Sequence, residues 1–134
     1  MSITAELVDD KDQWESFIET HTEANFLQSW YWGEFHKTLE KTIARTGFFK
    51  NKKLVGAMLS IVEPARRAKH LIIPGGPIID WGDKEAVAAF VSSAKEIAQN
   101  NRCVFVRVRP QLIENEVSKK IFSKNLTEKV YSQT

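Results

Sequence analysis

The sequence is poor in the features that mark several large classes of protein. Cys103 is the only cysteine among 134 residues, so no internal disulfide can form, and a cytosolic protein is expected. Its apolar surroundings favour a buried, inert thiol over a nucleophile. No apolar run approaches the roughly twenty residues that a membrane span needs, and the N-terminus lacks the pattern of a signal peptide.

Strong charge and metal-ligand spacing are also missing from the sequence. The formal net charge is +2, and the 19 lysines and arginines are spread along the chain, which argues against a nucleic-acid-binding protein. The three histidines, His21, His36 and His70, do not have a spacing typical of metal sites. No nucleophile, base and orienting residue form a recognisable set. We therefore expect no bound metal and no cofactor, and we assign no catalytic residue.

The composition is that of an ordinary globular domain. Hydrophobic residues make up 43% of the chain and charged residues 27%, as in many soluble proteins. A chain of this length forms one domain and buries roughly two-thirds of its unfolded surface. We expect a single domain over residues 1–134, with a frayed polar tail at residues 125–134.

The most distinctive stretch is aromatic, with five aromatic side chains between Phe26 and Phe35. Ser29 can cap a helix that begins there. Tyr31, Phe35 and Leu39 recur every four residues, so they share one helical face. One interpretation is an amphipathic helix that grips the core. The other is that one edge of the helix lines a ligand groove and its cationic end, His36 and Lys37, reaches a phosphate or carboxylate.

The remaining periodicity alternates short strands with helices. Strands are predicted at residues 3–7, 41–50, 54–62, 70–73 and 102–109, and helices near residues 9–21, 29–39, 83–100 and 114–124. The runs on either side of Asn51-Lys52 predict a β-hairpin.

Two further stretches carry candidate binding residues. In Pro74-Gly-Gly-Pro77, a glycine can take positive φ while each proline holds φ near its fixed value. The last predicted strand alternates, and one of its faces ends in Arg107 and Arg109. Ligands of open α/β sheets bind beyond the carboxyl ends of strands, so these guanidiniums are candidates for anion contacts. The alternative is that they form ion pairs on the surface.

Three stretches resemble the FemABX-type proteins, which add amino acids to the peptide of bacterial peptidoglycan precursors. Gln28-Ser-Trp-Tyr-Trp-Gly-Glu-Phe-His-Lys37 resembles their Q-S-x-x-W-G-x-F-[K/x]-K stretch. Gly76-Pro-Ile-Ile-Asp80 matches their G-P-[VI]-x-D segment, and Phe105-Val-Arg-Val-Arg-Pro110 resembles their strand ending in [I/V]-R-x-[D/R]-P. The matches keep the family's order along the chain.

The resemblance implies an α/β fold of the acyl-CoA N-acyltransferase (GNAT-like) kind: a mixed, mostly antiparallel sheet of five or six strands with helices on both faces. FemABX-type proteins contain two such domains in tandem, and this chain is similar to the first. The pyrophosphate-binding signature of CoA-dependent enzymes, [Q/R]-x-x-G-x-[G/A], is absent, so acetyl-CoA transfer is not expected.

The resemblance also implies a site and its partners. A cation at the end of the aromatic helix contacts the precursor's phosphates in the family, and here that position falls on His36 or Lys37. Trp32, Gly76, Pro77, Arg107 and Arg109 are expected to line the groove. The implied acceptor is UDP-MurNAc-pentapeptide or lipid II, and the implied donor is aminoacyl-tRNA if a second domain is present. The expected location is cytoplasmic, including the inner face of the membrane.

Two functions remain open from the sequence. The first is aminoacyl transfer in the synthesis of peptidoglycan interpeptide bridges, in a chain that is incomplete without a second GNAT-like domain or a homo-oligomeric partner. The alternative is a non-catalytic GNAT-like domain that binds a ligand or a partner protein.

Overall fold

The structure is a computed structural model that describes residues 2–21, 26–65 and 68–110, together with the backbone of residues 130–132. The predicted helix at residues 114–124 lies outside the described residues, as does most of the predicted frayed tail.

Six strands and three α-helices make up the described part of the chain. In order they are β1 (Thr4–Leu7), α1 (Lys11–Glu19), α2 (Trp30–Thr38), β2 (Ile43–Lys50), β3 (Lys53–Glu63), β4 (His70–Pro74), α3 (Lys84–Asn100), β5 (Phe105–Arg109) and β6 (Val130–Ser132). A single 3₁₀ turn, Phe26–Gln28, leads into α2.

The strands form one mixed sheet in the order β1-β2-β3-β4-β5-β6. The first four strands are antiparallel neighbours, whereas β5 runs parallel to both β4 and β6. Helix α3 makes the crossover that a parallel pair requires. The predicted mixed, mostly antiparallel sheet is confirmed. The prediction of a frayed tail is wrong for Val130–Ser132, because these residues pair with β5 as strand β6.

Each α-helix begins at a side chain that accepts from free backbone N–H groups of the first turn. Asp10 accepts from Gln13 N at 3.1 Å. Ser29 accepts from Trp32 N at 3.1 Å, which confirms the predicted cap of the aromatic helix. Asp83 accepts from the N–H groups of residues 85 and 86 at 2.9 and 3.3 Å.

The sheet is buried on both faces, because α3 covers one face and α1 and α2 pack on the other. Along β3, Met58 and Val62 join the cluster beneath α3, which is centred on Phe90. Leu59 and Ile61 point the opposite way and join the cluster that contains Trp14. This alternation places side chains on both faces of a central strand. The predicted helices on both faces are therefore confirmed.

The apolar face of α2 points away from the sheet. Tyr31, Phe35 and Leu39 do share one side of the helix, but they are 55%, 48% and 49% exposed. Only Gly33 of the helix is buried, and Trp30 and Trp32 are the residues that pack on the cluster below. The interpretation that this face grips the core is wrong. The smallest residue of the helix faces β2, so the helix lies close to the strand, while Tyr31, Phe35 and Leu39 turn outward.

Candidate ligand-binding site around helix α2

Helix α2 is fixed to the sheet by a buried arginine. The Arg45 side chain rises from β2, is only 8% exposed, and donates to Trp30 O at 2.9 Å and to a Glu34 carboxylate oxygen at 2.8 Å. Its guanidinium also lies 3.5 Å from the centroid of the Trp30 ring. A buried arginine needs such partners because an unpaired charge would be costly. Gly33 leaves room for it, since a Cβ there would lie 2.6 Å from Arg45 Nη2.

The His36 side chain is half-buried in the last turn of α2. Its ring packs edge-on against Trp32, with centroids 4.8 Å apart. Burial, and next the positive charge of Lys41, lower the pKa of His36 below its usual value, so the imidazole is uncharged at neutral pH. Its Nδ1 atom is buried and has no hydrogen-bond partner among the described residues. His36 therefore offers a hydrogen bond, not a fixed positive charge.

Lys37 carries the charge at the end of α2. Its side chain is 54% exposed, and its ammonium lies 3.4 Å from the Glu34 carboxylate. The same carboxylate binds Arg45, and these two cations, with Arg45 the stronger influence, lower the pKa of Glu34. Exposed ion pairs of this kind are weak, so an anionic ligand can displace Glu34 from Lys37 at little cost.

The structure places His36 and Lys37 on different sides of the helix, about 100° apart. His36 lies on the side of Lys41 and Glu63, which terminates β3, whereas Lys37 contacts Glu34 on the side of β2. Lys41 is a further cation beside His36 that the sequence alone does not single out. It forms an ion pair of 2.6 Å with Glu63, and nothing in its local sequence distinguishes it from other surface lysines.

The loop after β4 leaves the sheet through a bulge. Ile61 pairs with Ile72, and Ala57 pairs with Ile78. Between these two pairs β3 advances by four residues, from 61 to 57, whereas the chain on the β4 side advances by six, from 72 to 78. The β4 side therefore carries two extra residues. Bulges of this kind re-aim the chain and are common beside functional sites.

The side-chain amide of Gln28 fills this bulge. Gln28 is 0% exposed. Its Oε1 accepts from Leu59 N at 2.8 Å, and its Nε2 donates to Leu59 O at 3.2 Å and to Pro74 O at 2.6 Å. The carboxamide thus takes the place of the peptide group that β4 would have presented to β3.

Gly76 and Pro77 are buried where they were expected to line a groove. A Cβ on Gly76 would lie 2.5 Å from Cδ of Gln28, so the glycine accommodates the glutamine. Gly75, with φ of 66°, is the glycine that takes the left-handed conformation. In the loop that follows, Asp80 is exposed, and its carboxylate accepts from Gly82 N at 2.9 Å. Groove lining by Gly76 and Pro77 stays a prediction.

Arg107 and Arg109 lie on the face of β5 opposite α3, because Val106 and Val108 face that helix. Arg107 is half-buried, and its guanidinium lies 5.7 Å from the Phe105 ring. Its Nε atom has no hydrogen-bond partner among the described residues. Arg109, at the carboxyl end of β5, is exposed and is the register partner of Pro74. The two arginines stay candidates for anion contacts.

The candidate residues form two groups along the sheet. Gly76, Pro77 and Arg109 lie near the end of β4, where Gln28 binds Leu59 and Pro74. His36 and Lys41 lie near Glu63. Leu59 and Glu63 are four residues apart on β3, which corresponds to about 13 Å. A ligand that bridges both groups must therefore be extended along the sheet.

Within the described residues, no group of three or more histidine, cysteine, aspartate or glutamate side chains is placed to hold a metal ion. None of the helices in that part of the chain is long and apolar enough to cross a membrane.

The fold is that of the N-acyltransferases. A probable acetyltransferase has a TM-score of 0.62 and 16% sequence identity, and the similarity covers 96% of this chain and 91% of that one. An acetyltransferase from Trypanosoma brucei has a TM-score of 0.60 and 16% identity over 92% of this chain and 90% of the other. The predicted GNAT-like architecture is confirmed.

The crystal structure of FemX has a TM-score of 0.80 and 19% identity, and the similarity covers 92% of this chain but 31% of FemX. The sequence profile of the FemAB family matches residues 10–132. This chain therefore belongs to the FemAB family, as the three stretches of the sequence predicted.

Curated relatives in Staphylococcus aureus are named lipid II:glycine glycyltransferases. The relatives from strain bovine RF122 / ET3-1 and from strain USA300 are each 23% identical to this chain over 100 residues, covering 73% of it. The chain spans about a quarter of the length of these relatives, with 24% covered.

Proposed function

We propose that this chain is the precursor-recognising domain of an aminoacyltransferase that builds the peptide bridges of peptidoglycan. The acceptor is a muramyl pentapeptide, carried by UDP or by the lipid of lipid II, and the donor is an aminoacyl-tRNA. The observation that supports this most strongly is the exposed ammonium of Lys37 in the last turn of α2, next in sequence to the partly buried His36, in a chain of the FemAB family.

The chemistry of the precursor fits this end of the helix. A pyrophosphate attracts an exposed ammonium, and charge-assisted contacts to phosphate are short and strong. Lys37 would supply that charge after leaving Glu34, while the neutral His36 would supply a hydrogen bond. Lys41 lies beside His36, but its charge is balanced by the ion pair with Glu63.

The transfer itself requires more than this domain supplies. Attack of an amine on an aminoacyl ester needs the two reactants held together and a proton removed from the amine. We propose that the tRNA channel and the remaining precursor contacts lie on a second GNAT-like domain or a partner copy. The proposed place of action is the cytoplasmic side of the membrane.

An NMR titration of the chain with UDP-MurNAc-pentapeptide tests recognition directly. We expect amide shifts at His36 and Lys37 and in residues 75–80, because the ligand would touch both groups of candidate residues. The free pentapeptide without its UDP-sugar is the matched control, and it should leave His36 and Lys37 unshifted. If the complete precursor gives no shifts at millimolar concentration, recognition by this domain is contradicted and the non-catalytic alternative is favoured.

A further inference from the structure

We propose that Gln28 is a positioning residue for the precursor site, because it holds the residue 74–80 loop at a fixed place relative to α2. The inference rests on the proposed function for its ligand, but the placement of the loop can be tested without any ligand. Gln28 itself is 0% exposed, so it would act through the loop rather than by contact with the ligand.

The Gln28 side chain makes three hydrogen bonds to the backbone of β3 and β4. The amide oxygen of Gln28 accepts from Leu59 N, and its amide nitrogen donates to Leu59 O and Pro74 O. These backbone groups face each other across the bulge, where β3 and β4 no longer pair. Without Gln28 they would be buried and unsatisfied, which is costly. The side chain therefore determines how far the loop stands from β3.

Gln28 also occupies a position in the chain that links α1 to the start of α2. Its own carbonyl accepts from Trp14 Nε1 at 2.8 Å, which fixes it to α1. The next residue, Ser29, caps α2. The dipeptide Gln28-Ser29 thus begins the helix whose last turn carries His36 and Lys37, and the Gln28 side chain anchors the loop that leads to Asp80. Both groups of candidate residues are therefore connected to the same two residues.

Gly76 packs closely against the Gln28 carboxamide. Its Cα stands so close to the Gln28 carboxamide that a Cβ would lie between 2.5 and 2.9 Å from three of the side-chain atoms. Nothing in this contact requires a ligand, and only glycine avoids it. The loop and the glutamine are therefore matched in shape as well as in hydrogen bonding.

The test is the variant Gln28→Met, which keeps the volume and removes the hydrogen bonds. Gln99→Met, at an exposed position on α3, is the matched control. We expect α3 amide shifts to be unchanged, exchange of the Leu59 amide to accelerate at least ~10-fold, and shifts to appear in residues 74–80. Affinity for UDP-MurNAc-pentapeptide should fall at least ~10-fold, since a displaced loop forms fewer contacts with the ligand.

Gly76→Ala provides a second route, because its Cβ would push the loop and the Gln28 carboxamide apart without removing any hydrogen-bonding group. It should weaken precursor binding in the same way even if Gln28→Met does not fold. The proposal is overturned if the folded variants bind the precursor as the wild type does. If the wild type does not bind, the proposed function fails, and amide exchange at Leu59 and in the loop still decides whether Gln28 positions that loop.

Discussion

The helix α2 owes its closeness to the sheet to Gly33, and the substitution Gly33→Ala tests this. Replacing glycine by alanine inside a helix normally stabilises a protein by about 1 kcal/mol. Here the new Cβ would lie 2.6 Å from Arg45 Nη2 and 3.0 Å from Ile43 Cδ1. The guanidinium would have to move, although two hydrogen bonds and the Trp30 ring hold it.

The size of the effect follows from these contacts. Losing or distorting a hydrogen bond to a charged group costs about 1.5–3 kcal/mol, and overpacking costs about 1–3 kcal/mol. Subtracting the gain in helix propensity leaves a net destabilisation of about 1.5–5 kcal/mol. With a urea m-value of about 2 kcal/mol/M for a chain of this size, the unfolding midpoint should fall by about 1–2.5 M.

Urea denaturation followed by circular dichroism measures this shift. Ser92→Ala, at an exposed position on α3, is the control, and it should stabilise the protein slightly because nothing opposes the better helix former. In an Arg45→Met background the clash with the guanidinium disappears, so Gly33→Ala should become neutral or stabilising. If Gly33→Ala stabilises the wild type by as much as Ser92→Ala does, or more, the packing described for α2 is refuted.

Two other predictions concern the same part of the fold. Trp14→Phe removes the hydrogen bond from the buried Trp14 ring to Gln28 O and leaves a cavity, so the free energy of unfolding should fall by about 2–4 kcal/mol; a loss below ~1 kcal/mol in urea denaturation would show that this contact is dispensable. His36 has a pKa below its usual value near 6.5, chiefly because of burial, so the unfolded state binds a proton more readily. Its contribution should destabilise the wild type as the pH falls below about 6.5 towards the folded-state pKa. His36→Asn should flatten this decline between pH 7.5 and 5.5, and an identical slope in both proteins would argue against a buried, neutral His36.

Much of the fold could be predicted because the signals are local. Helix α3 lies where a helix was predicted near residues 83–100, and Ser29 caps α2 in the structure as expected. The hairpin of β2 and β3 follows from two apolar runs around a short polar turn. Such features depend on neighbouring residues alone, so one sequence is enough to reveal them.

The orientation of α2 could not be predicted in the same way. Periodicity shows that Tyr31, Phe35 and Leu39 share a face, but it does not show which face of the helix packs on the sheet. That choice depends on Arg45, a charged residue from β2 that is buried against Trp30 and Glu34. Arginine is rarely buried, so nothing in its local sequence indicates this role.

The contacts within the candidate site also could not be predicted from local sequence. Gln28 belongs to a stretch that the resemblance singled out, yet glutamine is usually exposed, and its contacts to Leu59 and Pro74 join residues 31 and 46 positions away. Lys41 differs from other surface lysines only by its ion pair with Glu63, a contact that the sequence does not reveal. Strand β6 is three residues long and is defined by a partner strand rather than by its own pattern.

Calorimetric titration of UDP-MurNAc-pentapeptide into variants of the chain tests most directly whether the phosphates of the precursor bind at the end of α2 that carries Lys37. Lys37→Met should lower the affinity about 10-fold and weaken its salt dependence. Lys84→Met, at an exposed position on α3, should change neither. If Lys37→Met and Lys84→Met bind the precursor equally well, with the same salt dependence as the wild type, the phosphates do not bind at this end of the helix.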